Sequence, residues 1–246
     1  MDGGTLFPSN MAVSSTGKPS NAYVQGEVIA REAKSLGVHM IFAPVLDINN
    51  NPSNPIINLR SYGDRPQVVS DYGTQFFKGV QSQGVFACGK HFPGHGDTDT
   101  DSHKTLPTVH QLKYQLEQVE LLPYRMLIKN GLGSVMVAHL HVPSLDDTEK
   151  LAASLSSKIV TDLLKNKMEF TGLTITDALN MKGVSQFYAP GKVDLEALLA
   201  GNDVLLFAED VPKAIEQIKE AIRQERISQE EIDKRFKSFD EDIVHW

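Results

Sequence analysis

The 246-residue chain has a single cysteine, Cys88, so no disulfide can form within it. Cys88 lies in an apolar run, where a free cysteine is expected as a small buried residue, not a reactive thiol. No apolar stretch approaches the ~18 residues that cross a bilayer. No secretory leader is visible either, although the opening MDGGTLFP reads as the inside of a motif and so bears little on location. There is no cationic excess: 24 Lys and Arg against 31 Asp and Glu leave a formal charge of −7, and the basic residues are scattered. That argues against a nucleic-acid partner, which needs a basic stripe. No GxGxxG turn follows the first apolar run and no GKS or GKT follows PGHGD, which removes the simplest dinucleotide and phosphate-loop readings. No low-complexity linker divides the chain, and one domain over 1–246 is expected.

What is present is a repeated unit. Five short apolar runs each begin with glycine: 37–48, 84–92, 133–142, 172–179 and 201–208. They do not alternate cleanly with polar residues, which is how strands buried on both faces read. Each follows a stretch of helical period, over 21–36, 68–83, 111–130, 154–170 and 192–200, and the glycine is the expected helix stop. Two more helices are expected over 211–224 and 228–239, with Ser228 and Glu231 at capping-box spacing. Helix–Gly–strand repeated five times predicts an α/β fold with a parallel sheet. Asp47, Lys90, His91, His139 and Asp177 fall at or near the C-terminal ends of these strands, the face that carries the active site of a (β/α)8 TIM-type barrel. Such a barrel needs eight strands and five are legible, so the chain is expected to lack the first two or three.

The stretch GKHFPGHGDTDTDSHKTLP, 89–107, concentrates the chemistry. His91, His95 and Asp97, with His139 and His141, have spacings that resemble metal ligands. Yet His95 sits between glycines, and His141 is expected to face a different environment from His139, so no convergent metal site is expected. Acid–base chemistry fits better. Asp101 and His103 flank one serine, so the carboxylate can accept the Nδ1 hydrogen and leave Nε2 to exchange a proton near neutral pH. Asp177 ends an apolar strand, where a carboxylate is costly unless paired or functional. It reads either as a nucleophile or as a cap of the next helix. Arg60 lies in the polar loop NNNPSNPIINLRSYGDRP, a candidate substrate wall.

Taken together, KHFPGHGDTDTDSHKTLP, APVLDINNNPSNPIINLRSYG and GLTITDALNMKGV resemble the glycoside hydrolase family 3 β-N-acetylglucosaminidases of bacterial peptidoglycan turnover. The resemblance runs from Asp2 to the late helices. It implies retaining hydrolysis of terminal β-linked N-acetylglucosamine, with Asp177 as nucleophile, His103 as general acid/base and Asp101 as its dyad partner. It implies sugar contacts from Arg60, Lys90 and His91, and Asp47, His139 and Met181 complete the expected substrate-contacting set. No cofactor and no metal are implied, and the partner is a small carbohydrate. The β-glucosidase branch, phosphorolysis in place of hydrolysis, and a fragment that only binds sugar are the alternatives. MDGG stands where the family has a D-x-E-G-G type segment, and TLFPSN replaces the arginines that usually follow. One wall of the sugar pocket is therefore expected to be incomplete.

Overall fold

The computed structural model describes residues 3–98 and 105–244. The chain divides into two compact units, Met1–Asp99 with Gln111–Met136, and Thr100–His110 with Val137–Trp246.

In the first unit, strands β1 (Met40–Ile41), β2 (Phe86–Phe92) and β3 (Ser134–Val137, whose last residue belongs to the second unit) lie side by side in that order. β1 and β2 are parallel, with Met40 opposite Phe86 and Ile41 opposite Ala87. The strand expected over 37–48 is interrupted at Pro44, which has no N–H to give the ladder. Pairing resumes in the parallel bridge between Val45 and Lys90. Every residue of β2 except Lys90 is buried, as expected for a strand covered on both faces.

Around these strands pack helices α1 (Asn10–Ser14), α2 (Ser20–Ser35), α3 (Pro66–Gln81), α4 (Lys113–Gln118) and α5 (Leu121–Lys129). α3 starts with proline at its first position, where the missing N–H costs nothing. It buries Val69, Tyr72, Phe76, Phe77 and Val80, the spacing of one helical face. Each of these is worth roughly 1.5–3 kcal/mol by area removed from water. α2 and α3 touch backbone to backbone. A Cβ on Gly26 would lie 2.3 Å from the Phe76 carbonyl oxygen, and one on Gly79 would lie 2.1 Å from that of Tyr23. The helix expected over 111–130 is broken into two. Pro123 cannot donate to the carbonyl of Val119, and the first helix ends at Val119, at φ −113, ψ −76.

In the second unit, β4 (Leu173–Thr176) is wholly buried. The Asp177 amide donates to the Val137 carbonyl at 2.9 Å, and Thr176 donates to Val204 at 3.0 Å. The fifth expected strand, 201–208, shrinks to the parallel bridge between Ile175 and Val204. The Asp203 carboxylate takes the Thr174 amide at 2.9 Å and its hydroxyl at 2.6 Å, where a longer ladder would continue. Four strands and this bridge, among the described residues, fall short of the eight a closed barrel uses. Helices α6 (Lys182–Ser185), α7 (Lys192–Ala200), α8 (Val211–Arg223) and α9 (Gln229–Val244) follow. The stretch 154–170, expected as one α-helix, is a 3-10 turn over Ala153–Leu155 and then a π-helix over Lys158–Lys167. Only half of the expected capping box forms. Ser228 Oγ accepts from Glu231 N at 3.0 Å, while the Glu231 carboxylate turns to Arg235 at 2.9 Å. Among the described residues, no helix is long and apolar enough to cross a membrane.

Candidate active site

In the first unit the polar residues converge around Asp47. It follows the Val45 bridge and is buried, 1% exposed. Its Oδ2 meets His91 Nδ1 at 2.7 Å, its Oδ1 accepts from His95 N at 2.7 Å, and both oxygens lie 3.3 Å from His91 N. Burial alone would push this carboxyl up, but the His91 ring and the ring and amide of His95 outweigh it and hold the group below the usual range. An ionised Asp47 requires the hydrogen on His91 Nδ1, which leaves Nε2 as the ring's acceptor nitrogen. Arg60 ends a 3-10 turn over Asn58–Arg60 and is exposed; its NH2 stands 3.4 Å from His91 Nε2. Lys90, beside His91 on β2, is half-buried.

The segment after β2 is packed into the fold. Pro93, Gly94, His95 and Gly96 are all buried. The glycines serve close packing. A Cβ on Gly96 would lie 1.7 Å from the Ile48 carbonyl oxygen, and one on Gly94 would lie 2.7 Å from Glu120 Cγ. Thr98 Oγ1 meets His95 Nδ1 at 2.6 Å, and Asp97 accepts from the Gln111 side chain. Glu120 is 2% exposed. Burial pushes its carboxyl up to about 7, only partly countered by Asn50, whose amide donates to it at 3.1 Å, and Asp97 and Asp47 add repulsion.

In the second unit Asp177 stands just past β4, half-buried. Its Oδ1 accepts from Ala178 N at 2.8 Å, so the carboxylate is oriented by the turn it begins. His139, also past its strand, is fully buried. Its Nδ1 meets Ser154 Oγ at 2.7 Å and its Nε2 meets the Ala178 carbonyl at 3.0 Å. A carbonyl only accepts, so Nε2 carries the hydrogen and Nδ1 accepts from the serine. Burial lowers the His139 pKa, against the pull of Asp177, which keeps the ring neutral. Met181 is 8% exposed and its amide closes the same turn on Ala178 O at 3.0 Å. His141 faces elsewhere, as expected, with its Nδ1 3.4 Å from Thr108 Oγ1.

The expected site residues thus fall into four groups, the first being Asp177 and Met181, half-buried and buried in the turn after β4. Arg60 is exposed, Lys90 is half-buried, and His91 is buried with its Nε2 toward Arg60. Asp47 and His139 are spent on other protein groups and serve by holding them. Asp101 and His103 lie outside the described residues. Asn54, Glu120 and His95 were missed as structural members of the site. Asn54 is one of five asparagines between 49 and 58, and nothing in the sequence singles it out. Glu120 reads as the polar face of a helix. Among the described residues, no three His, Cys, Asp or Glu side chains are placed to hold a metal ion.

A family model described as "Glycosyl hydrolase family 3 N terminal domain" matches residues 1–239. Beta-hexosaminidase A of Pseudoalteromonas piscicida is 38% identical over 215 residues, covering 82% of this chain and 36% of that protein. A "Beta-N-acetylglucosaminidase/beta-glucosidase" of Cellulomonas fimi is 30% identical over 239 residues, 94% of this chain and 42% of its own length. Among solved structures, a glycoside hydrolase family 3 beta-N-acetylglucosaminidase from Paenibacillus sp. str. FPU-7 matches with a TM-score of 0.92 at 41% identity, over 96% of this chain and 45% of that one. The chain therefore spans less than half the length of each of these relatives. The α/β, TIM-barrel-like fold expected from the sequence stands.

Proposed function

The chain belongs to glycoside hydrolase family 3, and we propose that the protein is a retaining glycosidase that removes terminal β-linked N-acetylglucosamine from peptidoglycan or chitin-type fragments. The observation that carries this reading is Asp177: a half-exposed carboxylate just past a buried strand, aimed by the Ala178 amide at 2.8 Å. A nucleophile needs that combination of access and fixed direction. The names of the relatives supply the sugar.

In the proposed reaction the Asp177 carboxylate attacks the anomeric carbon. The glycosidic C–O bond breaks as protonated His103 gives its Nε2 proton to the departing oxygen. Water then attacks the glycosyl–Asp177 ester, His103 takes the water's proton, and the sugar leaves with its configuration retained. Asp101 accepts the Nδ1 hydrogen of His103 and stabilises its charged form. Arg60 and Lys90 donate to sugar oxygens and His91 Nε2 accepts from a sugar hydroxyl, with Asp47 fixing the His91 ring. A neutral imidazole as base does not repel an incoming anion. Phosphate in place of water is therefore a second reading, and the Cellulomonas fimi relative's name makes β-glucosides a second substrate class.

The test is turnover of a chromogenic aryl N-acetyl-β-glucosaminide and an aryl β-glucoside by the full-length protein, each with and without phosphate. The expected result is hydrolysis of the first, slowed about a thousandfold or more by Asp177→Asn. Unchanged turnover in that variant would overturn the assignment. Faster loss of substrate in phosphate, with a sugar phosphate as product, would favour phosphorolysis.

A further inference from the structure

We infer that Asn54 is a positioning residue that closes a hydrogen-bonded circuit holding both Arg60 and His91, an inference that rests on the sugar-binding roles proposed above for those two side chains. Asn54 is 2% exposed and lies in the loop that leads to Arg60. Its side chain works in two directions. Oδ1 accepts from Ile56 N and Ile57 N, both at 2.8 Å. That turns the chain so that the next two carbonyls face Arg60. Ile56 O accepts from Arg60 NH1 at 3.1 Å, and Ile57 O accepts from Arg60 N at 2.8 Å. In the other direction Nδ2 donates to the carbonyls of His95 at 2.8 Å and Gly96 at 3.1 Å.

The path then continues back to its start. His95 N donates to Asp47 Oδ1 at 2.7 Å, Asp47 Oδ2 meets His91 Nδ1 at 2.7 Å, and His91 Nε2 stands 3.4 Å from Arg60 NH2. The longest link is the last one, between the Arg60 guanidinium and the His91 ring. Every other link is short and lies between groups committed to the fold. A buried amide that satisfies its carbonyl oxygen and its NH2 on two different segments fixes their relative position. Here one segment is the Arg60 loop and the other is the strap that holds Asp47, and through it the His91 ring. Alanine at position 54 frees both at once, and a displacement of about 1 Å at a binding group can cost a hundredfold. Serine at 54 keeps an acceptor for the turn, because a hydroxyl forms the same local turn more weakly, and it loses the grip on His95 and Gly96.

The experiment is a double-mutant cycle in the full-length protein, read as kcat/KM on an aryl N-acetyl-β-glucosaminide, with Asn54→Ala, Arg60→Ala and both. Asn54→Ala alone is expected to lower kcat/KM by about 10- to 100-fold, mainly through KM, and Asn54→Ser by less. In the Arg60→Ala background the same change is expected to cost severalfold less, because one of its two routes of action is already gone and only the path to His91 remains. Equal losses in both backgrounds would overturn the inference and leave Asn54 a residue of general stability. The hydrogen on His91 Nδ1 gives a readout that needs no turnover. Its proton NMR signal is expected to move in Asn54→Ala, or in Asn54→Ser where the alanine variant does not fold, and an unmoved signal overturns the inference. If the unaltered protein turns over no N-acetylglucosaminide while that signal moves, the proposed function fails and the circuit stands.

Discussion

Replacing Asp47 by asparagine keeps the size of the side chain and removes its charge. The carboxylate receives three N–H groups in a buried setting: the His91 ring at 2.7 Å, the His95 amide at 2.7 Å and the His91 amide at 3.3 Å. Hydrogen bonds to a charged partner contribute roughly 1.5–3 kcal/mol each, and neutral ones roughly 0.5–1.5. Asparagine retains one acceptor oxygen and turns an NH2 toward donors. One charge-assisted bond is lost outright and another is weakened, so Asp47→Asn should destabilise the chain by about 2–4 kcal/mol. The pH dependence supplies a sharper check. The folded pKa of Asp47 is depressed, since the His91 and His95 contacts outweigh burial. Its contribution is therefore present above the unfolded carboxyl value near ~4 and is lost as pH falls through the folded value. Urea unfolding of both forms should show the full difference at about pH 7 and a shrinking one below about pH 4. A gap that is absent at neutral pH, or equally large in acid, would refute the role given to this carboxylate.

Glu120→Gln should act with the opposite sign. The Glu120 pKa is raised from 4.5 to about 7, so the stability associated with its neutral form is complete below the unfolded value and lost as pH rises through about 7. The rise corresponds to about 3 kcal/mol, and the glutamine variant should be more stable than the parent by up to that amount at about pH 8; parallel pH–stability curves would count against a buried Glu120. Gly79→Ala forces a methyl group to 2.1 Å from the Tyr23 carbonyl oxygen and should lower stability by about 1–3 kcal/mol or more, read as a fall in Tm; an unchanged Tm would contradict the close α2–α3 contact. His139→Ala leaves Ser154 Oγ and the Ala178 carbonyl without their ring partner, at an expected cost of about 2–4 kcal/mol. Because Ala178 belongs to the turn that aims Asp177, turnover should fall as well, and full activity would sever His139 from the nucleophile.

The repeating grammar of the fold was legible because it rests on local rules. A face of Val69, Tyr72, Phe76, Phe77 and Val80 needs only helical spacing to be seen, and buried strands read as unalternating apolar runs. The departures come from interactions that spacing does not encode. Pro123 breaks a helix whose apolar period continues through it. The Asp203 side chain takes over from a backbone ladder that the run 201–208 would otherwise continue. At Glu231 the acid has two partners within reach and pairs with Arg235 instead of completing the cap. The site follows the same division. Strand ends marked Asp47, His91, His139 and Asp177, but only packing separates the half-buried Asp177 from the other three, which are buried. His95 looked geometry-free between two glycines, yet those glycines are what allow the segment to press against Ile48 and Glu120. Asn54 carries no signal of its own, since its importance lies in which carbonyls surround it.

The central claim is that Asp177 forms a covalent bond to the sugar. Incubation of the full-length protein with a fluorinated N-acetylglucosaminyl fluoride, followed by proteolysis and mass spectrometry, tests it directly. The account predicts one added N-acetylglucosaminyl-type mass on the peptide that contains GLTITDALNM, assigned by fragmentation to Asp177 and absent in Asp177→Asn. A label on another carboxylate, or turnover of the reagent with label retained in Asp177→Asn, would contradict it.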